Sequence, residues 1–219
     1  MSSRLKTTFA GVEFKNPVVL ASGTCGFGRE LNEYFDIERL GGLCSKGLLE
    51  HPHGGNDGIR IWETPSGIMN SVGLENPGVD AFIEKDLDWI NQKNLVNIVN
   101  LGGHSIEDYL KGMEKLNGVD LDILELNISC PNVKEGGIAF GTDPKGVETI
   151  TSEIKKYAKQ PVIMKLSPNV TSIAEIARAA EAGGADAVSL INTITGMKID
   201  INRRSFVLAN KTGGMSGPA

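Results

Sequence analysis

Two hydrophobic periods alternate along the chain. Residues Leu121–Ile128 step by twos, with Leu124, Leu126 and Ile128 on one face and Ile123, Glu125 and Asn127 on the other, which predicts a buried strand. Comparable short apolar runs occur at 17–21 (PVVLA), 42–46 (GLCSK), 95–100 (LVNIVN), 161–166 (PVIMKL) and 186–192 (DAVSLIN). Between them the spacing is helical. Leu31, Tyr34, Phe35 and Leu40 predict a helix over 30–40, and further helices are expected at 78–92, from Ser105 to about Asn117-Gly118, and at 144–158. Ser105-x-x-Asp108, Asp143-Pro144 and Ser172-x-x-Glu175 have the form of helix N-termini, and Gly183-Gly184 closes the last helix. The opening TTFAGVEFKN predicts a short hairpin around Ala10-Gly11.

Repeated strand–helix units imply a parallel sheet, either a doubly wound open sheet or a (β/α)8 barrel. Lys46, Asn100, Asn127, Lys165 and Asn192 all fall at or near the carboxyl ends of successive strands. A barrel converges such ends on one mouth, whereas an open sheet uses mainly its switch point. The glycine-rich GTCGFG is not GxGxxG, so a dinucleotide fold has little support. The predicted architecture is an α/β TIM barrel in a single domain over 1–219, with about six of the eight βα units present. Residues 47–77 form a long insertion, read as a functional loop. The last strand is expected to run into a loop ending KTGGMSGPA.

Composition narrows the partners. The chain has 219 residues, 40% hydrophobic and 22% charged, with a net charge of −5 and no basic stripe to suit nucleic acid or an anionic membrane. No apolar run approaches the ~20 residues of a membrane helix. The N-terminus lacks an apolar signal core, so a cytoplasmic location is expected. Cys25, Cys44 and Cys130 are odd in number and lack CxxC spacing, which argues against disulfides, zinc and iron–sulfur ligation.

Candidate chemistry gathers at the strand ends. Cys130 follows a strand and precedes Pro131 in a loop, a position suited to a base or nucleophile provided its thiolate is accessible. Cys25 and Cys44 are read as small hydrophobes. Lys46 and Lys165 end apolar strands, where they suit an anionic ligand or the developing charge of a reduced cofactor. Asn70, Asn127, Asn132 and Asn192 offer the paired donors and acceptors that a flat amide-bearing heterocycle needs, although each alone also suits a turn or cap. His51 and His53 are read as a solvated loop, and His104 as structural. No metal set or phosphate loop is evident.

The stretch NISCPN (127–132) followed by GGIAFGTD, with NSVGLENPG (70–78), VIMKLSPN (162–169) and INTITGM (191–197), resembles the dihydroorotate dehydrogenase family, most nearly its cytosolic class 1B catalytic subunits. The resemblance implies an FMN-binding barrel that oxidises dihydroorotate to orotate in pyrimidine synthesis. It implies that Cys130 removes the C5 proton while hydride leaves C6. Substrate positions carried over are Asn70, Ser71, Val72, Gly73, Leu74, Asn127, Asn132, Asn192 and Thr193, with Lys46 between substrate and flavin. The FMN positions are Ser22, Lys46, Gly47, Asn100, Asn127, Lys165, Ile191 and Gly217, with Lys165 stabilising the reduced flavin. A homodimer within a heterotetramer is implied, its partner subunit carrying FAD and a [2Fe-2S] cluster and passing electrons to NAD. Family chains continue through two more βα units whose loops bind the FMN phosphate, so weak FMN retention and an exposed barrel edge are expected here. The alternatives are an FMN-dependent dihydropyrimidine dehydrogenase, which has a similar cysteine loop, and an inactive barrel fragment acting as a binding module.

Overall fold

The structure, a computed structural model, describes residues 3–129, 134–135, 138–139 and 141–218. Cys130 and Asn132 therefore lie outside the described residues. A short 3-10 turn precedes the hairpin of β1 (Thr7–Phe9) and β2 (Val12–Phe14). The wall begins with β3 (Val19–Leu20), α1 (Arg29–Asn32) and β4 (Gly42–Cys44), followed by a second hairpin of β5 (Ile61–Thr64) and β6 (Gly67–Asn70). Helix α2 (Val79–Phe82) continues through a π turn, Ile83–Leu87, into α3 (Asp88–Asn91). Then come β7 (Val96–Gly102), α4 (Ile106–Leu116), β8 (Ile123–Asn127) and the small pair β9 (Lys134–Glu135) and β10 (Ile138–Ala139). Helix α5 (Pro144–Tyr157), β11 (Val162–Lys165), α6 (Ile173–Ala182) and β12 (Ala187–Ser189) complete the repeats. The tail adds β13 (Ile194–Met197), β14 (Ile199–Asp200), β15 (Ser205–Phe206) and β16 (Thr212–Ser216).

The order of the parallel strands decides the architecture. They pair as β3-β4-β7-β8-β11-β12, in strict chain order and all parallel. A doubly wound sheet reverses direction at a switch point, and this one never does. The six strands are thus a curled wall of a (β/α)8-type barrel, as the strand-end residues predict.

Alternation across the strands builds two cores. Leu43, Val99, Leu101, Leu124, Leu126, Val162 and Met164 face outward and pack against the helices. Each helix answers with one apolar stripe: Tyr109, Met113 and Leu116 on α4, Val147, Ile150 and Ile154 on α5, and Ile176, Ala179 and Ala180 on α6. The inner face carries Cys44, Val96, Ile98, Ile123 and Ile163, and Phe14 of the first hairpin packs against them. All seven residues of β7 are buried, as befits a strand covered on both faces. Above this apolar layer the inward positions turn polar: Asn100, Glu125, Asn127, Lys165 and Ser189.

The caps fall where the sequence puts them. The side chains of Ser105, Asp143 and Ser172 accept from the backbone N–H groups of Asp108, Gly146 and Glu175. Three expectations are corrected. The helix over 30–40 is only α1 and a 3-10 turn at Ile37–Arg39, because Asp36 caps a new turn by accepting from Glu38 N. The insertion at 47–77 is not all loop, since it contains β5 and β6. The tail is not a loop either: β13 and β6 flank β16 in an antiparallel four-stranded sheet, β13-β16-β6-β5, which lies over the mouth of the barrel.

Candidate functional site

The polar tips of the wall and the four-stranded cap enclose a cavity of about 500 Å³. From the wall come Asn127, Ser129, Ser167, Asn169, Asn192 and Thr193, and from the cap side Asn70, Ser71, Val72, Gly73, Leu74 and Gly214. Every described residue of the predicted substrate set except Lys46 lines it. Its floor is fixed at Asn127, the end of β8: Asn192 Nδ2 donates to Asn127 Oδ1 at 3.0 Å, and Tyr109 Oη on α4 donates to the Asn127 carbonyl at 2.7 Å. The next loop is pinned by Asn169, whose Nδ2 donates to Thr193 O at 3.0 Å while its Oδ1 accepts from Thr195 N at 2.9 Å. Asn56 holds the roof, donating from Nδ2 to Ser71 O at 2.9 Å.

The lining is rich in amides and hydroxyls, and among the described residues it contains no Asp, Glu, Lys or Arg. Ser71 Oγ and Ser129 Oγ line it as buried hydroxyls without a hydrogen-bond partner among the described residues. Buried polar atoms are ordinarily satisfied, so both await a ligand or water. A flat molecule carrying ring amides would meet donors and acceptors without desolvating a formal charge on the protein.

A second cavity, of about 230 Å³, lies inside the wall and is lined by Ser22, Cys44, Glu125, Lys165, Ser189 and Ile191 together with apolar side chains. Glu125 lies at its base, 6% exposed. Its Oε1 accepts from Asn100 Nδ2 at 2.6 Å and from Cys44 Sγ at 3.2 Å, its Oε2 accepts from Ser189 Oγ at 2.6 Å, and Lys165 Nζ stands 4.0 Å from Oε1. The other end of Asn100 is an orphan: Oδ1 is buried without a partner among the described residues. Gly47 faces that atom, and a Cβ added there would lie 2.8 Å from it and 4.0 Å from Ser22 Oγ. The predicted cofactor positions Ser22, Gly47, Asn100, Lys165 and Ile191 are therefore brought together. Asn127 stands beside them, paired with Lys165 across β8 and β11.

Two predicted positions sit elsewhere. Lys46 lines an outer cavity with Glu30, His53 and Glu75, not the space between the two cavities. Burial pushes its ammonium down from the usual lysine value, Glu75 opposes that and Lys165 adds to it, so the two lysines sense each other across the mouth. Gly217 lies at the edge of the cap against Ser66 and Gly67, away from both linings. Cys44 is as inert as expected: burial, then the charge of Glu125 and the bond to it, holds its thiol well above the usual range. Burial also raises Cys25.

Sequence reasoning missed three residues. Glu125 was visible only as an inward strand position. His53 and His104, read as solvated and structural, both line the amide-rich cavity, with ring centroids 6.3 Å apart. Their lining role depends on loops from different repeats meeting, which no local pattern encodes. Among the described residues no group of three or more His, Cys, Asp or Glu could hold a metal ion, and no helix is long and apolar enough to cross a membrane.

A family model described as dihydroorotate dehydrogenase matches residues 4–219. A protein of Lachnoclostridium phytofermentans named dihydroorotate dehydrogenase B (NAD(+)), catalytic subunit, is 60% identical over 212 residues, 97% of this chain and 71% of that protein. Proteins of the same name from Alkaliphilus metalliredigens and Petrotoga mobilis are 58% and 52% identical, covering 98% and 97% of this chain and 71% of each relative.

Proposed function

The chain belongs to the dihydroorotate dehydrogenase family, and on that premise we propose that it oxidises dihydroorotate to orotate in pyrimidine biosynthesis. The observation that carries the proposal is the uncharged, amide-lined cavity with its two orphaned hydroxyls, stacked on a barrel cavity that ends in Lys165. A dihydropyrimidine ring presents ring N–H and C=O groups that Asn70, Asn127, Asn132 and Asn192 can pair, and Thr193 and the 70–74 segment close over it. The ring loses a proton from C5 and a hydride from C6, which leaves a C5–C6 double bond. Cys130 takes the proton as its thiolate.

The barrel cavity fits a flavin. Beside it, the buried Oδ1 of Asn100, without a partner among the described residues, lies against the bare Cα of Gly47 and supplies an unspent acceptor. Ser22, Lys165 and Ile191 would hold FMN beside them, and Lys165 would face the negative charge that develops on reduction. Bound FMN supplies the hydride acceptor. Lys46 guards the mouth, and Gly217 is assigned to FMN by family likeness alone. The words "NAD(+)" and "catalytic subunit" in the relatives' names support an onward path to NAD through a second subunit; FAD and a [2Fe-2S] cluster on that subunit, a homodimer of this chain and a cytoplasmic location are assigned by family likeness alone.

Cys130→Ala, saturated with FMN, tests the assignment. It should bind orotate like the parent while its rate of flavin reduction by dihydroorotate falls by about 10²–10⁴-fold, the range of a lost general base. Reduction at the parental rate would show that the proton leaves by another route.

A further inference from the structure

One buried carboxylate organises the base of the barrel cavity. Glu125 projects from β8 and is bonded by side chains of β4, β7 and β12, so a single group ties strands 25, 64 and 81 residues away in sequence. Both its oxygens act as acceptors, from Asn100, Cys44 and Ser189, which is the hydrogen-bond pattern of an ionised group. Lys165 stands at 4.0 Å, near enough to be neutralised but beyond direct hydrogen-bonding distance, so its ammonium donors stay available to the cavity. Asn100 is used similarly: Nδ2 is spent on Glu125, and this turns the unpaired Oδ1 toward Gly47. A buried charge held by three donors and a counter-ion is a costly arrangement for stability alone.

We propose that Glu125 is a positioning residue for the redox site: it aims Asn100 and Lys165 at the bound flavin and lowers that flavin's reduction potential. This rests on the FMN-binding reading above. The physical reason is the charge balance. Lys165 alone would favour the reduced flavin strongly, making it a poor donor to an acceptor as weakly oxidising as NAD. A carboxylate within the same low-dielectric cavity offsets part of that pull without touching the ring.

The test is the midpoint potential of FMN bound to the parent and to Glu125→Gln, which keeps the shape and removes the charge. At a fixed redox poise the reduced-to-oxidised ratio should rise at least tenfold, a positive shift of about 30 mV for a two-electron couple. Glu153→Gln, on the exposed face of α5, should leave the ratio unchanged. A folded, FMN-loaded Glu125→Gln with the parental potential overturns the proposal. If that variant does not hold FMN, Ser189→Ala decides: with one donor gone, the carboxylate is less compensated and the potential should fall, and an unmoved potential overturns the proposal. A cofactor-free readout separates this from the functional premise. In the parent-minus-Glu125→Gln infrared difference spectrum at neutral pH, a lost ionised-carboxylate band supports the assignment. A lost protonated-carboxyl band overturns it. A parent chain that binds no FMN at all would instead defeat the reading on which it rests.

Discussion

Adding one methyl group at Gly47 should damage the barrel cavity more than its size suggests. The new Cβ would stand 2.8 Å from Asn100 Oδ1, where ordinary contacts begin near 3.4 Å. A free side chain would swing aside, but Asn100 is tethered: Nδ2 donates to Glu125 at 2.6 Å, and its backbone is held by Ser45 Oγ and the N–H of Leu48. The structure must therefore either compress, at about 1–3 kcal/mol for an overpacked core, or release the bond to Glu125, at about 1–3 kcal/mol for a buried group left short of a partner. These are alternatives, so the net cost is about 1–3 kcal/mol and not the sum. For a chain of this length each kcal/mol lowers Tm by about 2–4 °C. The same displacement moves the orphaned Oδ1 offered to the flavin, so FMN should bind about 10–100-fold more weakly, on the scale of 1.4 kcal/mol per tenfold. Thermal melts with and without FMN, together with calorimetric titration of the cofactor, measure both effects. Combining Gly47→Ala with Asn100→Ser should cost less than the two changes added, because the smaller side chain removes the clash. A Gly47→Ala protein with parental Tm and parental FMN affinity would refute the tethering argument.

Two further expectations concern the scaffold. Ser105→Ala removes the oxygen that accepts from Asp108 N at 3.1 Å and should cost about 1 kcal/mol in urea denaturation, with m unchanged. Asp186 has a pH signature. Burial opposes its charge, yet the bonds from Lys155 Nζ at 2.6 Å and Val162 N at 2.7 Å outweigh that and hold its carboxyl below the usual range. Its folded pKa lies below its unfolded one, so its contribution is present above about pH 3.9 and fades as pH falls through the folded value. Asp186→Asn should accordingly destabilise the protein at pH 7 and progressively less in acid; a constant difference across a pH series of melts would contradict the assignment.

The repeats were legible because each depends on short-range periodicity. Residues 121–128 show their two faces directly, and the side chains of Ser105, Asp143 and Ser172 announce helix starts within three positions. The polar strand ends Asn100, Asn127 and Lys165 could be placed on one mouth by the same count. The cap sheet could not. β16 reads TGGMS, which has the composition of a loop, and becomes a strand only because β6 and β13 lie on either side of it. Its Gly214 is there for closeness: a Cβ would fall 2.0 Å from Thr193 Oγ1. The hydrogen-bonded partners of Glu125 were hidden for a related reason, since they sit on three other strands and meet only when the wall curls. Lys46, placed at the mouth by the same count, is found in the lining of an outer cavity that Glu75 shares.

The most direct measurement is anaerobic rapid mixing of the FMN-saturated chain with dihydroorotate, followed by flavin absorbance. Rapid bleaching with dihydroorotate, and none of comparable rate with dihydrouracil, is the result the dihydroorotate reading predicts. A flavin that stays oxidised with dihydroorotate, or bleaches equally fast with dihydrouracil, would contradict it.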